Sequence, residues 1–332
     1  MAEGSTVKVG LFLNQYRTPS SSFVYTDLYE QVDRLEEYGF DSVTLGERHL
    51  HEESVAEPIT TLGAIAGRTE AITIGTAALL PATYDPLRLA EQVAMLDVLS
   101  EGRMACGLAI GYRKRELAPF GMDLEDRVPR FLESLSILKR LWNGERVTHD
   151  GDAWQYDDVF IAPTPRPGMP IWIGGHADIA IKRAAYRADG WIASASSTPD
   201  DLAYQLDVYE DALEEFGMDR ADNEVILMRD CFVGESMEAV RENIEPHLLT
   251  LYEWYARWGQ TYMDEREVAV DFDELEEKFV LGTPESCAAQ LEEYAEMGVD
   301  HVLLRVQFPG QSQETTLACL DRLGEEVLPA LR

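Results

Sequence analysis

The chain has 332 residues, 45% of them hydrophobic, with 61 acidic against 28 basic side chains and a formal net charge of −33. Acids spread along the whole length repel nucleic acid and anionic membrane surfaces, and no apolar run approaches the length of a membrane span. A chain of this length suits one barrel-sized domain, residues 1–332, with insertions.

Lysine stands only at positions 8, 114, 139, 182 and 278. Dispersed acids keep a protein soluble at a cost in self-repulsion that salt suppresses, so a salt-adapted chain is expected. Residues Met1–Thr6 lack a basic stretch followed by an apolar one, which predicts no signal peptide and a cytoplasmic protein. Cys106, Cys231, Cys287 and Cys319 form no CxxC pair and sit among small or apolar neighbours, as buried reduced thiols do. His49 and His51 could share a face, but two ligands are too few for a metal site, and none is expected.

In chain order, apolar runs predict strands at Val7–Asn14, Ser42–Glu47, Ala71–Leu79, Met104–Gly111, Ile171–Gly175, Gly190–Ala195, Glu224–Val233 and His301–Phe308. Continuous rather than alternating hydrophobicity marks parallel strands covered on both faces. Helical patterns lie between them. Tyr25–Tyr38 carries Leu28, Val32 and Leu35 on one face. Asp85-Pro86 starts a second helix, with Leu89, Val93 and Leu96 as its stripe and Gly102 as its stop. Arg130–Trp142, Ile179–Tyr186 and Pro199–Phe216 follow, and Thr283-Pro284 caps a helix that Gly298 ends. Alternating β and α over this length predicts a (β/α)8 TIM barrel, with a doubly wound sheet as the fallback. Two segments interrupt the alternation: a proline-rich excursion at 144–170, and an aromatic, acidic stretch at 247–280.

Barrel sites sit at the C-terminal strand ends. That rule selects Phe12 from the first strand, Glu47-Arg48-His49 from the second and Ala77-Ala78 from the third. It selects Gly111-Tyr112 from the fourth strand, Gly174-Gly175-His176 from the fifth and Ala195-Ser196-Ser197 from the sixth. His49 can move protons near neutral pH; Glu47 reads first as a structural partner of a neighbouring strand. Arg113, Lys114 and Arg115 form the one basic cluster and suit a phosphate, or form a solvated loop beside Glu116. Gly174 to Ala177 precede a helix whose N-terminus offers N–H groups to an anion, although a strand-to-helix turn needs glycine anyway.

The order and spacing of several motifs resemble the bacterial-luciferase-like flavin-dependent oxidoreductases. They are Tyr38-Gly39-Phe40-Asp41, Glu47-Arg48-His49, GTAALLP from Gly75, DPLRLAEQVAMLDVLSEGR from Asp85, Gly111-Tyr112 and Phe120-Gly121. Arg127, Leu141-Trp142, Pro170–Gly175, Asp189-Gly190-Trp191 and Gly282-Thr283-Pro284 continue the series.

The resemblance implies a luciferase-like barrel, a cis peptide at Ala77–Ala78 against a flavin ring, and flavin phosphate held at Gly174, Gly175, His176 and Ala177. It places Glu116 near the flavin and makes His49 the retained site histidine. Arg48 stands where several relatives carry a proton-transferring histidine. Ile110 replaces an arginine before Gly111, which moves phosphate duty to Arg113 or Arg115. The insertion at 247–280 is expected as a mobile cover, a packed helix or a dimer contact.

The implied activity is a reduced-FMN monooxygenase that uses O2 on a small aldehyde-like or apolar substrate. A separate flavin reductase would serve it, because no nicotinamide fingerprint is present. The alternatives are hydride transfer with the deazaflavin coenzyme F-420, or a non-catalytic subunit. A homodimer is expected on the same resemblance.

Overall fold

The structure, a computed structural model, describes residues 7–13, 24–51, 57–257 and 271–332. Strands β1 (Lys8–Leu13), β2 (Ser42–Leu45), β3 (Thr73–Leu79) and β4 (Met104–Leu108) pair in sequence order, all parallel. A short antiparallel hairpin, β5 (Val147–Asp150) and β6 (Gln155–Val159), follows outside the barrel. The barrel then resumes with β7 (Ile171–Gly174), β8 (Gly190–Ala193) and β9 (Glu224–Val233). The three-residue strand β10 (Val280–Gly282) extends the far end of β9, and β11 (His301–Arg305) pairs with both β9 and β1 to close the ring. Among the described residues the result is a closed barrel of eight parallel strands.

Helices α1 (Val24–Tyr38), α2 (Pro58–Ala66), α3 (Pro86–Leu99), α4 (Lys114–Leu117) and α5 (Arg127–Trp142) cover the first half. The second half carries α6 (Asp178–Arg187), α7 (Pro199–Phe216), α8 (Met237–Arg257), α9 (Phe272–Glu276), α10 (Pro284–Glu296) and α11 (Gln313–Arg322). Local chemistry sets their starts. The Asp85 side chain accepts the Arg88 N–H, and Thr198 with Asp201 forms a reciprocal capping box.

The fourth and eighth predicted strands end earlier than the apolar runs suggest. After Leu108 the chain keeps one ladder bond, Ala109 N–H to Leu79 O at 2.8 Å, and turns at Gly111 with φ +73°. After Arg305, the Gln311 side chain donates to Val306 O and accepts from Phe308 N–H, so a side chain takes the place of a neighbouring strand. The excursion at 144–170 holds the hairpin, which the Glu133 carboxylate latches to α5 through Ala153 N–H, Trp154 N–H and His149 Nε2. Of the 247–280 stretch, residues up to 257 complete α8, with Leu248, Leu251, Tyr252 and Tyr255 buried; residues 258–270 lie outside the described residues.

Between strands and helices lies the main apolar core, and a separate cluster fills the barrel interior: Phe12, Ala105, Trp172, Ile226 and Leu303 among others. β3 and β4 approach so closely that a side chain on Gly107 has no place. A Cβ there would lie 2.0 Å from the backbone oxygen of Thr76. Gly107→Ala is therefore expected to cost about 1–3 kcal/mol through overpacking. Urea unfolding measures it, and an unchanged midpoint would contradict this account of the β3–β4 contact.

All four cysteines are buried and unbridged. No helix among the described residues is long and apolar enough to cross a membrane, and none of their side-chain groups is arranged to hold a metal ion.

Candidate active site

The mouth of the barrel is built from small residues. Gly46, Ala78, Ala109, Gly174 and Ser194, one from the end of each of five neighbouring strands, are only partly buried. Phe12 and Ala77 lie beneath, in the interior cluster, with Ala78 packed on it. The Ala77–Ala78 peptide is cis. It falls where register slips: Thr76 pairs with Cys106 and Leu79 with Leu108, so two residues of β3 oppose one of β4 and the strand bulges. A Cβ on Gly174 would meet Ala109 Cβ at 3.8 Å, an ordinary van der Waals contact that a small side chain could make without strain. A shallow apolar bed with polar groups at one side fits a planar tricyclic ring such as a flavin or deazaflavin.

The polar side is the end of β2. Glu47 has a fully buried side chain and uses both oxygens: Oε1 meets His49 Nε2 at 2.5 Å, and Oε2 accepts Leu80 N–H at 2.7 Å. It therefore ties β2 to β3 and orients the imidazole at once. The bond from Glu47 raises the His49 pKa, against burial, with the charges of Glu47 and Glu116 adding to the rise. Glu116, after β4, accepts the His49 backbone N–H at 2.5 Å and lies 3.7 Å from Arg113, whose Nη1 donates to His49 O at 3.4 Å. Burial pushes the Glu116 carboxyl up, although these partners oppose it, and burial likewise lowers Arg113. His51 is pushed down to about 4 by burial and by the charges of Arg48 and Arg113, and its ring lies 4.8 Å from that of Trp254. Phe120 stacks at a tilt 4.7 Å from the His49 ring. Burial also raises Tyr112 and Tyr84, the latter beside Glu47.

The two arginines singled out after β4 separate: Arg113 is buried within this network, whereas Arg115, like Lys114, is exposed on α4. On the opposite side of the mouth, Gly174, Gly175, His176 and Ala177 lead into α6. Gly175 is needed for packing, since a Cβ there would lie 2.5 Å from Ala180 Cβ, and its N–H bonds Ile192 O. Its carbonyl accepts the indole N–H of Trp191, a fully buried core residue. Burial lowers the His176 pKa. The α6 N-terminus has no side-chain cap, unlike α7 with its capping box, so its first N–H groups suit an anion.

Strand-end reasoning misses a second polar cluster. Arg48 Nη2 donates to the Tyr255 hydroxyl at 3.1 Å, and Arg305 and Asp230 continue the chain of contacts. The available signal was charge inside apolar strand runs, at Asp230 in β9 and Arg305 in β11.

Residues 8–301 match the luciferase-like monooxygenase family, and the chain belongs to it. Among curated proteins it is similar to the F420-dependent glucose-6-phosphate dehydrogenase of Microbacterium testaceum, 28% identical over 330 residues, covering 96% of each chain. Other relatives of the same name match at 25–27% identity over 96% of this chain. It is also similar to the oxygenase component of the flavin-dependent trigonelline monooxygenase of Acinetobacter baylyi, 25% identical, covering 92% of this chain and 90% of the relative. Among solved structures the monooxygenase RslO1 of Streptomyces bottropensis superposes with a TM-score of 0.86 at 24% identity, covering 98% of this chain and 100% of its own. That likeness confirms the single-domain luciferase-like barrel. The chain is thus a luciferase-like oxidoreductase.

Proposed function

We propose that the protein is an F420-dependent oxidoreductase that interconverts a hydroxyl and a carbonyl group on a small substrate. The observation that carries this reading is the end-to-end similarity to F420-dependent dehydrogenases, at slightly higher identity and fuller cover than to the flavin-dependent monooxygenase. The deazaflavin, when bound, supplies a ring carbon that accepts or releases hydride.

The chain's own residues supply the rest. The small residues at the mouth bed the ring. The uncapped α6 N-terminus, with Arg115 and Lys114, attracts the anionic tail. His49 Nε2 is committed to Glu47, which leaves Nδ1 to take the proton of a substrate hydroxyl as hydride leaves its carbon. Glu47 stabilises the imidazolium that results, the arrangement expected of a positioned general base. Glu116 and Arg113 fix the backbone of His49 from either side.

Flavin with oxygen is the second reading, favoured by the similarity to the trigonelline enzyme. Turnover separates the two. Oxidised F420 is mixed with a panel of secondary alcohols and glucose 6-phosphate without oxygen, and loss of the F420 absorbance is followed. Reduction of F420 by a panel member, unaffected by admitted air, is the expected result. Oxygen consumption with reduced FMN, and no F420 reduction, would overturn the reading.

A further inference from the structure

Two exposed apolar side chains adjoin His49. Phe120, in the short turn after α4, has its ring centroid 4.7 Å from that of the imidazole, tilted by 52°, and 38% of the residue stays exposed. Its place is fixed from both sides. Leu117 and Met122 are buried in a small apolar cluster with Leu80 and Ala82, and Gly121 closes the turn with φ +72°. The open face of Phe120 therefore sits on an anchored turn. Leu50 follows His49 directly, with φ +54° and 52% exposure. The left-handed region is unfavourable for a bulky residue, and burial within the described chain recovers little of that cost.

Neither side chain offers a hydrogen-bond donor or acceptor. A substrate group that covers them removes apolar surface from water, which favours binding. A sugar hydroxyl set against them loses its bonds to water without replacement. Charge points the same way. Glu47 holds the Nε2 of His49 and Glu116 its backbone N–H, each at 2.5 Å. The nearby cations Arg113 and Arg48 are engaged, the first by Glu116 at 3.7 Å and the second by the Tyr255 hydroxyl at 3.1 Å. An anionic substrate meets carboxylates here, in a chain of net charge −33. Two residues on, His51 packs its ring on that of Trp254 and is pushed down to about 4, chiefly by burial, so it is neutral near pH 7.

We propose that Phe120 and Leu50 form an apolar wall that selects the substrate: an uncharged secondary alcohol, with its ketone, whose aromatic or branched aliphatic group lies against the wall while its hydroxyl meets His49. The proposal rests on the reading of the protein as a hydroxyl–carbonyl oxidoreductase and narrows that reading to a substrate class. In the oxidation the carbinol C–H bond breaks and its electron pair leaves as hydride for oxidised F420. The O–H proton goes to His49 Nδ1, and the C=O double bond forms. The wall orients the reacting carbon through its apolar substituent and keeps water from the imidazole. Phe120 and Leu50 thus decide which alcohol binds, while proton transfer stays with His49.

The test gives the full chain 1-phenylethanol, 2-propanol or glucose 6-phosphate, each with oxidised F420 and without oxygen. The expected kcat/KM is highest for 1-phenylethanol, about tenfold or more above 2-propanol, and lowest for glucose 6-phosphate. Phe120→Ala and, separately, Leu50→Asn, which suits the left-handed backbone, are expected to lower kcat/KM for 1-phenylethanol by about 10- to 100-fold, chiefly through KM, with a smaller effect on 2-propanol. Phe120 also packs on His49, so Leu50→Asn decides where the two variants differ. A wild type that prefers 2-propanol or glucose 6-phosphate would overturn the proposal, as would variants that lose both alcohols equally. A second arm needs no cofactor. Saturation-transfer NMR of acetophenone with the full chain is expected to show binding that both variants weaken. If that binding is seen but no probe reduces F420, the wall stands and the F420 reading falls. If a probe reduces F420 but acetophenone fails to bind, or binds the variants as well as the wild type, the wall alone falls. Absence of both signals overturns both.

Discussion

His49→Gln is expected to lower F420-linked turnover by about 10²–10⁴-fold, the usual contribution of a positioned acid–base group, with little change in cofactor affinity. Glutamine keeps a donor for Glu47 but cannot take a proton, so the loss reports proton transfer rather than packing. In the wild type the pH profile carries the same signature. The base must be neutral to act, and Glu47 raises the pKa of His49. Turnover in the oxidation direction should therefore rise with pH through a midpoint above about 6.5, and the rise should vanish in His49→Gln. Stability runs the other way. A histidine whose folded pKa is raised contributes stability that is full below its unfolded value and is lost as pH rises through the folded one. Equal turnover in the variant and wild type would remove His49 from the mechanism.

Asp230→Asn is expected to cost about 3–5 kcal/mol of stability, because it leaves a buried guanidinium without its counter-charge. The Arg305 side chain is 3% exposed and that of Asp230 is fully buried, so no water replaces the lost carboxylate charge. The substitution also weakens the Tyr252 contact that pins α8 to the barrel. Chemical denaturation measures the effect. A loss below about 1 kcal/mol, the size typical of an exposed pair, would show that the pair is solvated.

Much of the barrel could be read directly because parallel strands buried on both faces write long apolar runs, and Asp85-Pro86, Thr198-Pro199 and Thr283-Pro284 announce helices with their own caps. Helix α2 escaped because six of its nine residues, Pro58, Ile59, Thr61, Leu62, Ile65 and Ala66, are buried, which blurs the polar face that marks a surface helix. Helix α8 escaped because Pro246 lies inside it. At the mouth, strand-end position picked out Glu47, Arg48, His49 and Ala77-Ala78, because in a barrel every strand end of one side faces the same mouth. Arg305 bonds Asp230 and Tyr255 across 75 and 50 residues of sequence, and Arg48 reaches Tyr255 across 207; spacing carries no signal over such separations. The basic run after β4 reads as one cluster in sequence, yet the start of α4 turns Arg113 inward and Arg115 outward. Cofactor choice follows similar logic. The small residues around Gly75-Thr76-Ala77-Ala78 point to FMN on resemblance, whereas the relatives similar over nearly the whole chain include both F420-dependent and flavin-dependent enzymes; glycine and alanine carry no group that distinguishes the two rings.

An equilibrium titration of the purified protein, without oxygen, against F420 and FMN in both redox states separates the two cofactors. F420 is expected to bind much more tightly than FMN, and admitting air to the reduced complex is expected to produce no rapid oxidation. Tighter binding of reduced FMN, followed by a fast oxygen-dependent transient, would contradict the F420 reading.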